Sequence, residues 1–153
     1  MARPLVFRSM TTRDLPAILG IEEGSFPSPW SRALFEKELA TTWASLVVAE
    51  EQGVGGARIV GYSCAWRVVD EIHLLNVAVH PARRGRGLGR ELVERVLQEA
   101  SSAGARTVLL EVRAGNRPAR RLYGRLGFRS VRVRRGYYGP GQDALVLEHV
   151  LGG

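Results

Sequence analysis

Hydrophobic and polar positions recur regularly enough to divide most of the chain into short strands and helices. Leu5-Val6-Phe7 reads as a strand, followed by a helix with Leu15, Ile18 and Leu19 on one face and Thr11 or Thr12 as its cap. The stretch Ser25–Trp30 is broken by Pro27 and Pro29, and Ser31 opens a second short helix carrying Leu34, Phe35 and Leu39. Residues 45–51 form a strand, and the three glycines of Gln52–Ala57 mark a hairpin connection. Ile59–Val69 is the next strand. Residues 71–79, EIHLLNVAV, are apolar on both alternating faces and predict a largely buried one.

Pro81 ends that strand and a glycine-rich stretch follows. The clearest helix comes next, with Leu88, Leu92, Val93, Val96, Leu97 and Ala100 at helical spacing and Gly104 as its stop. Thr107–Val112 is a strand, and Pro118 fits the first turn of a helix whose face is Ala119, Leu122, Tyr123 and Leu126, ended by Gly127. Phe128–Arg134 and Ala144–Val150 close the chain as strands joined by Tyr137-Tyr138-Gly139-Pro140-Gly141. The order β-α-α-β-β-β-α-β-α-β-β predicts a single α/β domain over residues 1–153 with a mixed sheet and no linker or repeat.

Composition narrows the class. At 153 residues one core suffices without metal or disulfide staples. No apolar run approaches the ~18 residues of a membrane span, and MARPLVFRS lacks the apolar stretch of a secretory signal. Cys64 is the only cysteine, and with three scattered histidines it makes no zinc cluster, so no metal is expected. A cytoplasmic protein with no membrane partner is the expectation.

The net charge of +7 is unevenly spread. Residues 83–135 hold 15 arginines against Glu91, Glu94, Glu99 and Glu111, a net of +11, and the rest of the chain is −4. Lys37 is the sole lysine. Arginine suits forked contacts with phosphate, so the segment points to a polyphosphorylated ligand, a nucleic acid or an acidic surface. A solvated basic face would explain a diffuse excess better than this concentrated one.

Gly85, Gly87 and Gly89 lie between a strand and a helix, flanked by Arg83, Arg84, Arg86 and Arg90. Glycine lets backbone approach a ligand closely, and free amides at a helix start favour phosphate. The Walker pattern is absent, since no Lys-Ser or Lys-Thr pair exists. The dinucleotide fingerprint fails because Arg90 stands at its third glycine position, and residues 45–79 read as an antiparallel meander.

The turn does match Arg84-x-x-Gly87-x-Gly89, and here the chain resembles the GCN5-related N-acetyltransferases, whose element order it shares. Within that superfamily the likeness runs over nearly the whole chain to the ribosomal-protein-alanine N-acetyltransferases. It is carried by Phe26-Pro-x-Pro-Trp-Ser31, Asn76-Val-Ala-Val79, Arg84–Arg90, Leu110-Glu-Val-Arg113, Asn116, Leu122-Tyr123, Leu126-Gly-Phe128 and Arg135-Gly-Tyr-Tyr138. The resemblance implies acetyl-CoA as cosubstrate, held by backbone of Val77, Ala78 and Val79, by Arg84, Gly85, Arg86, Gly87, Leu88, Gly89 and Arg90, and by Asn116. It implies Glu111 as general base, Tyr123 as general acid, and Tyr137 and Tyr138 as a clasp for a peptide end, with Phe26 and Trp30 on the opposite wall. The implied acceptor is a protein N-terminus, the N-terminal alanine of a bacterial ribosomal protein. Gly124 departs from the pattern, where a helix former is more usual.

Each residue has a plainer reading as well. Glu111 is a solvated acid or a partner for Arg113, Tyr123 is core, and Asn116 is a helix cap. Tyr137 and Tyr138 are strand-pairing aromatics, and Phe26 and Trp30 are loop packing. Cys64, inside an apolar strand, is core filler rather than a nucleophile, so direct attack in a ternary complex is preferred. Two rivals stand beside the N-terminal acetyltransferase: a small-molecule amine acetyltransferase on the same fold, and a noncatalytic RNA-binding module. Direct nucleic-acid binding is not expected, because residues 83–121 contain no aromatic side chain to stack on bases.

Overall fold

A computed structural model describes residues Pro4–Gly152. Of the amino-terminal stretch read for a signal, Met1–Arg3 lie outside the described residues. The elements are β1 (Leu5–Ser9), α1 (Leu15–Glu23), α2 (Arg32–Leu39), β2 (Ala44–Gly53), β3 (Gly56–Val68), β4 (Glu71–Val79), α3 (Leu88–Ser102), β5 (Thr107–Arg113), α4 (Arg117–Arg125), β6 (Arg129–Gly139) and β7 (Gln142–Val150). The strands run in the order β1-β2-β3-β4-β5-β7-β6, a mixed sheet as the element order predicted. No helix of the described residues is long and apolar enough to cross a membrane.

The chain divides into two compact units. The first takes the residues up to Trp66 together with Asn76–Val93. In it β1 pairs antiparallel with β2, and β2 with β3, with a register shift at Ala49/Glu50. Short loop chemistry fixes the helices. The Ser31 hydroxyl accepts from the Leu34 amide at 3.1 Å and caps α2. Before α1, a single 3-10 turn is held by Asp14, whose carboxylate accepts from the Thr11 amide at 2.7 Å and from Arg8 at 2.8 Å. That guanidinium holds the Asp14 pKa below the ordinary carboxylate value.

The first turns of α3 pack Leu88 and Leu92 on Ala49 and Val60, with Leu5, Phe7, Val77 and Val79 around them. Gly61 permits this approach. A Cβ there would stand 3.0 Å from Leu92 Cδ1 and 3.1 Å from the Ala78 carbonyl oxygen.

The second unit comprises Arg67–Leu75 and the residues from Glu94 onward. The first half of β4 pairs parallel with β5, Glu71–Leu74 against Thr107–Leu110. β7 pairs antiparallel with both β5 and β6. The core of this unit includes Val108, Leu110, Val112, Phe128, Ala144 and Leu147, all buried. β4 alternates buried and half-buried positions, so it is less uniformly covered than its apolar run suggested.

Gly61→Val forces a branched side chain into the contact between β3 and α3, and overpacking of this kind costs roughly 1–3 kcal/mol. Urea unfolding of the variant is expected to show a lower midpoint with an unchanged slope. A wild-type midpoint would mean that α3 does not press on Gly61.

Candidate functional site

In the first unit the site is built on the end of β4 and the turn before α3. Asn76, which begins the Asn76–Val79 segment, is buried and donates from Nδ2 to Glu22 Oε1 at 2.8 Å. Glu22 is itself buried on α1 and receives two further hydrogen bonds. The Tyr62 hydroxyl donates to Oε1 at 2.5 Å, and the Trp30 amide to Oε2 at 2.8 Å. One carboxyl thus fixes β3, β4 and the loop between α1 and α2. Phe26 is half-buried in that loop, and the Trp30 ring packs on Phe35 at 5.2 Å.

The turn after β4 is braced by arginines rather than left as a free cationic rim. Arg83 forms a forked pair with Glu51 at 2.7 and 2.8 Å, so its charge is already matched. Arg84 donates from Nε to the Val79 carbonyl at 3.1 Å and from its terminal nitrogens to Ser25 Oγ at 2.9 Å and the Gly24 carbonyl at 3.4 Å. Its role is a bracket between the turn and the end of α1. Of the four flanking arginines, Arg86 is exposed on the turn and Arg90 stands in the first turn of α3.

Gly85 and Gly87 have φ of +77° and +82°, a region that side chains other than glycine rarely adopt. A Cβ at either would meet nothing within 4 Å. Packing therefore does not demand glycine there; backbone conformation and an open approach do. Gly89 is inside α3, not in the turn, and Gly87 lends its carbonyl to the Glu91 amide at 3.0 Å. The first amides of α3, beginning with Leu88, have no carbonyl to pair with inside the helix and face an anion favourably. A diphosphate fits this turn: positive-φ glycines, a helix start and Arg86. Val77 and Val79 are half-buried and Ala78 is buried, so this segment offers a ligand mainly its backbone.

In the second unit a polar cluster surrounds Glu111, a partly exposed residue of β5. Arg134 Nε lies 3.7 Å from Glu111 Oε1, buried and with no hydrogen-bond partner. The sequence suggested Arg113 as the ion-pair partner, but Arg113 instead donates to Gln142 Oε1 at 2.7 Å and lies 4.1 Å over the Tyr138 ring. Arg134 lies 5.3 Å from the Tyr137 ring centroid, and the two tyrosines meet edge to face at 5.0 Å. Glu111 beside it raises the Tyr137 pKa, and burial raises that of Tyr138. Both tyrosines belong to β6 rather than to the connection after it. Gly136, at φ +64°, lets the strand continue past a register shift, and its amide donates to Asp143 Oδ1 at 2.9 Å.

Tyr123 stands apart from this cluster on α4, its ring edge-on to Phe128 at 5.5 Å. Burial pushes its hydroxyl up to about 12, so it stays protonated near neutral pH. Asn116 caps α4, its Oδ1 accepting from the Ala119 amide at 3.2 Å, which leaves the side-chain NH₂ as its donor. Gly124 lines a 390 Å³ pocket with Arg117, Arg120, Arg121 and Phe128, and no packing contact requires glycine there. Cys64 is buried and pushed up to about 12 by burial and by Glu38 and Glu22, which makes it a poor nucleophile.

Two contributors are not singled out by the sequence. Glu22 falls at the helical spacing of Leu15 and Ile18, and an acid on an apolar stripe is the available signal. Arg134 has no local signal, because strand register brings it to Glu111.

A family model described as the acetyltransferase (GNAT) family matches residues 15–128. The chain is 36% identical over 141 residues to the [ribosomal protein bS18]-alanine N-acetyltransferase of Salmonella typhimurium, covering 90% of this chain and 92% of that protein. It is 35% identical over 142 residues to the protein of that name from Escherichia coli K12, covering 91% and 93%. The crystal structure of the ribosomal-protein-S18-alanine N-acetyltransferase from Escherichia coli superposes with a TM-score of 0.86 and 31% identity, covering 98% of this chain and 97% of that one. With its glycine turn, its element order and these likenesses, the chain belongs to the GNAT family of acetyltransferases.

Proposed function

We propose that this enzyme moves the acetyl group of acetyl-CoA to the α-amine of a protein N-terminus, the N-terminal alanine of a bacterial small-subunit ribosomal protein. The observation that carries this reading is the Glu111 carboxylate, partly exposed and flanked by Tyr137 and Tyr138 on β6. The names of the relatives supply the acceptor.

Acetyl-CoA brings an activated acyl group. The residues for holding it are the backbone of Val77–Val79, the Gly85–Arg90 turn and the Asn116 amide. An attacking amine forms a C–N bond at the thioester carbonyl and must shed one proton, which passes to Glu111 directly or through water. The C–S bond breaks, and the Tyr123 hydroxyl, kept protonated by burial, supplies a proton to the departing sulfur. Backbone amide at Val77 is placed in the role of polarising the carbonyl. Tyr137 and Tyr138 hold the first peptide bonds of the acceptor, and a substrate lacking those groups leaves desolvated polar atoms unpaired.

Four outcomes test the reading. An Ala-starting peptide is expected to gain one acetyl on its α-amine by mass spectrometry, with none on an internal lysine; preferential acetylation of polyamines would favour a small-molecule enzyme. Gly87→Glu places an anion where diphosphate must lie. Calorimetry should show CoA affinity collapsing while circular dichroism stays native, and unchanged affinity would remove the turn from the site. Glu111→Gln is expected to lower kcat/KM by roughly 10²-fold or more near neutral pH. Tyr123→Phe should slow turnover with little change in CoA affinity. Wild-type turnover in both, with chemistry rate-limiting, would overturn these roles.

A further inference from the structure

The Glu111 carboxylate and the rings of Tyr137 and Tyr138 each lie beside one of the protein's own cations. An ammonium ion is ordinarily seated by a carboxylate or by the faces of aromatic rings. Here Glu111 is paired with Arg134 at 3.7 Å, the Tyr137 ring with Arg134 at 5.3 Å, and the Tyr138 ring with Arg113 at 4.1 Å. The charged groups facing Glu111 and its two tyrosines are Arg134 on β6 and Arg113 on its own strand, while Asp143 on β7 is engaged by the Gly136 amide. Two arginines thus face the one carboxylate of Glu111. The cluster offers no net negative seat.

We propose that the acceptor amine enters this cluster uncharged, and that Arg134 and Arg113 thereby select a weakly basic α-amine over a lysine side chain or a polyamine. This rests on the acetyl-transfer reading of Glu111 and supplies its specificity. An α-amine with a pKa of about 7.7–8.0 is substantially neutral at pH 7.5, whereas a lysine amine near 10.4 is neutral roughly 200- to 300-fold less often. A cationic amine at Glu111 meets Arg134 beside the carboxylate and a guanidinium over one face of each tyrosine ring, and is repelled by both cations. A neutral amine brings its lone pair to the carbonyl carbon, and Glu111 takes the proton only as the C–N bond forms. The exclusion is by charge, and it acts in addition to any grip on the peptide bonds.

The test compares kcat/KM against pH for the wild-type enzyme with two Ala-starting peptides whose α-amines differ in pKa. The break in each profile is expected at the pKa of that peptide's amine and to move with it. At pH 7.5, Arg134→Gln and Arg113→Gln are each expected to raise the rate on an N-blocked lysine peptide relative to the α-amine by roughly two- to fivefold, the scale of one recovered cation–π or ion-pair contact. Arg134→Lys should keep the wild-type ratio. A break that stays fixed when the amine is changed, or an unchanged ratio in both glutamine variants, would overturn the proposal while leaving α-amine acetylation standing. Absence of any α-acetylated product with the wild-type enzyme would remove both. The wild-type profiles test uncharged entry without any variant, and Arg113→Gln tests the arginines' part even where Arg134→Gln fails to fold.

Discussion

A carboxyl group buried in an apolar interior is tolerated only when donors replace the water it has lost. Glu22 meets that condition with Tyr62, Asn76 and Trp30, which come from a strand, a second strand and a loop. None of these donors is near the others in sequence, so the carboxyl group enforces one arrangement of the first unit. The segment that follows Asn76 is the one whose backbone the cosubstrate would use, and the loop that carries Trp30 also carries Phe26. Loss of any single donor would leave a buried oxygen unsatisfied, a larger penalty than the bond itself is worth. The burial of Tyr62 beside this acid raises the phenol pKa, which keeps the donor a donor.

The arginines divide into two populations that composition alone does not separate. Arg8, Arg83 and Arg84 are structural braces in the first unit, Arg8 and Arg84 each across two or more partners and Arg83 forked on both oxygens of Glu51. Arg113 and Arg134 lie over tyrosine rings in the second. A planar guanidinium can stack and hydrogen-bond at once, which an ammonium cannot, and this fits a chain with Lys37 as its only lysine. The exposed remainder, including Arg117, Arg121, Arg129 and Arg132, supplies the basic field. On β6, at one end of the strand order, arginines alternate with Val131 and Val133, and charge on such a strand discourages edge-to-edge pairing.

Most elements are legible in the sequence because their apolar periods are long or their stops unambiguous. The stripe from Leu88 to Ala100 and the Gly104 stop locate α3, and Ser31 locates the start of α2 by the one hydrogen bond its hydroxyl makes. The glycine turn is legible in composition but not in function, since Arg83 and Arg84 are engaged by partners 32 and about 60 residues away. Tyr137 and Tyr138 look like part of a connection because Gly136 and Gly139 resemble turn residues. Gly136 instead serves a register shift inside a strand. The Glu111–Arg134 pair depends on strand order: Ala144 of β7 stands opposite both Arg113 and Arg134, and its small side chain leaves the span from β6 to β5 open. No local pattern contains that information.

The bracing of the glycine turn has a thermodynamic consequence. A loop that must order around its ligand loses conformational entropy at the moment of binding. Here Arg84 fastens the turn to Val79, Gly24 and Ser25, and Arg83 fastens it to Glu51, before any ligand arrives. The ordering cost is borne by folding, and the affinity of a ligand at this turn would be coupled to residues that never touch it. Ser25, just past the end of α1, is one such residue: its hydroxyl also donates to the Ile21 carbonyl at 2.6 Å, so any grip of the turn on a phosphate would be transmitted from the frame of a helix.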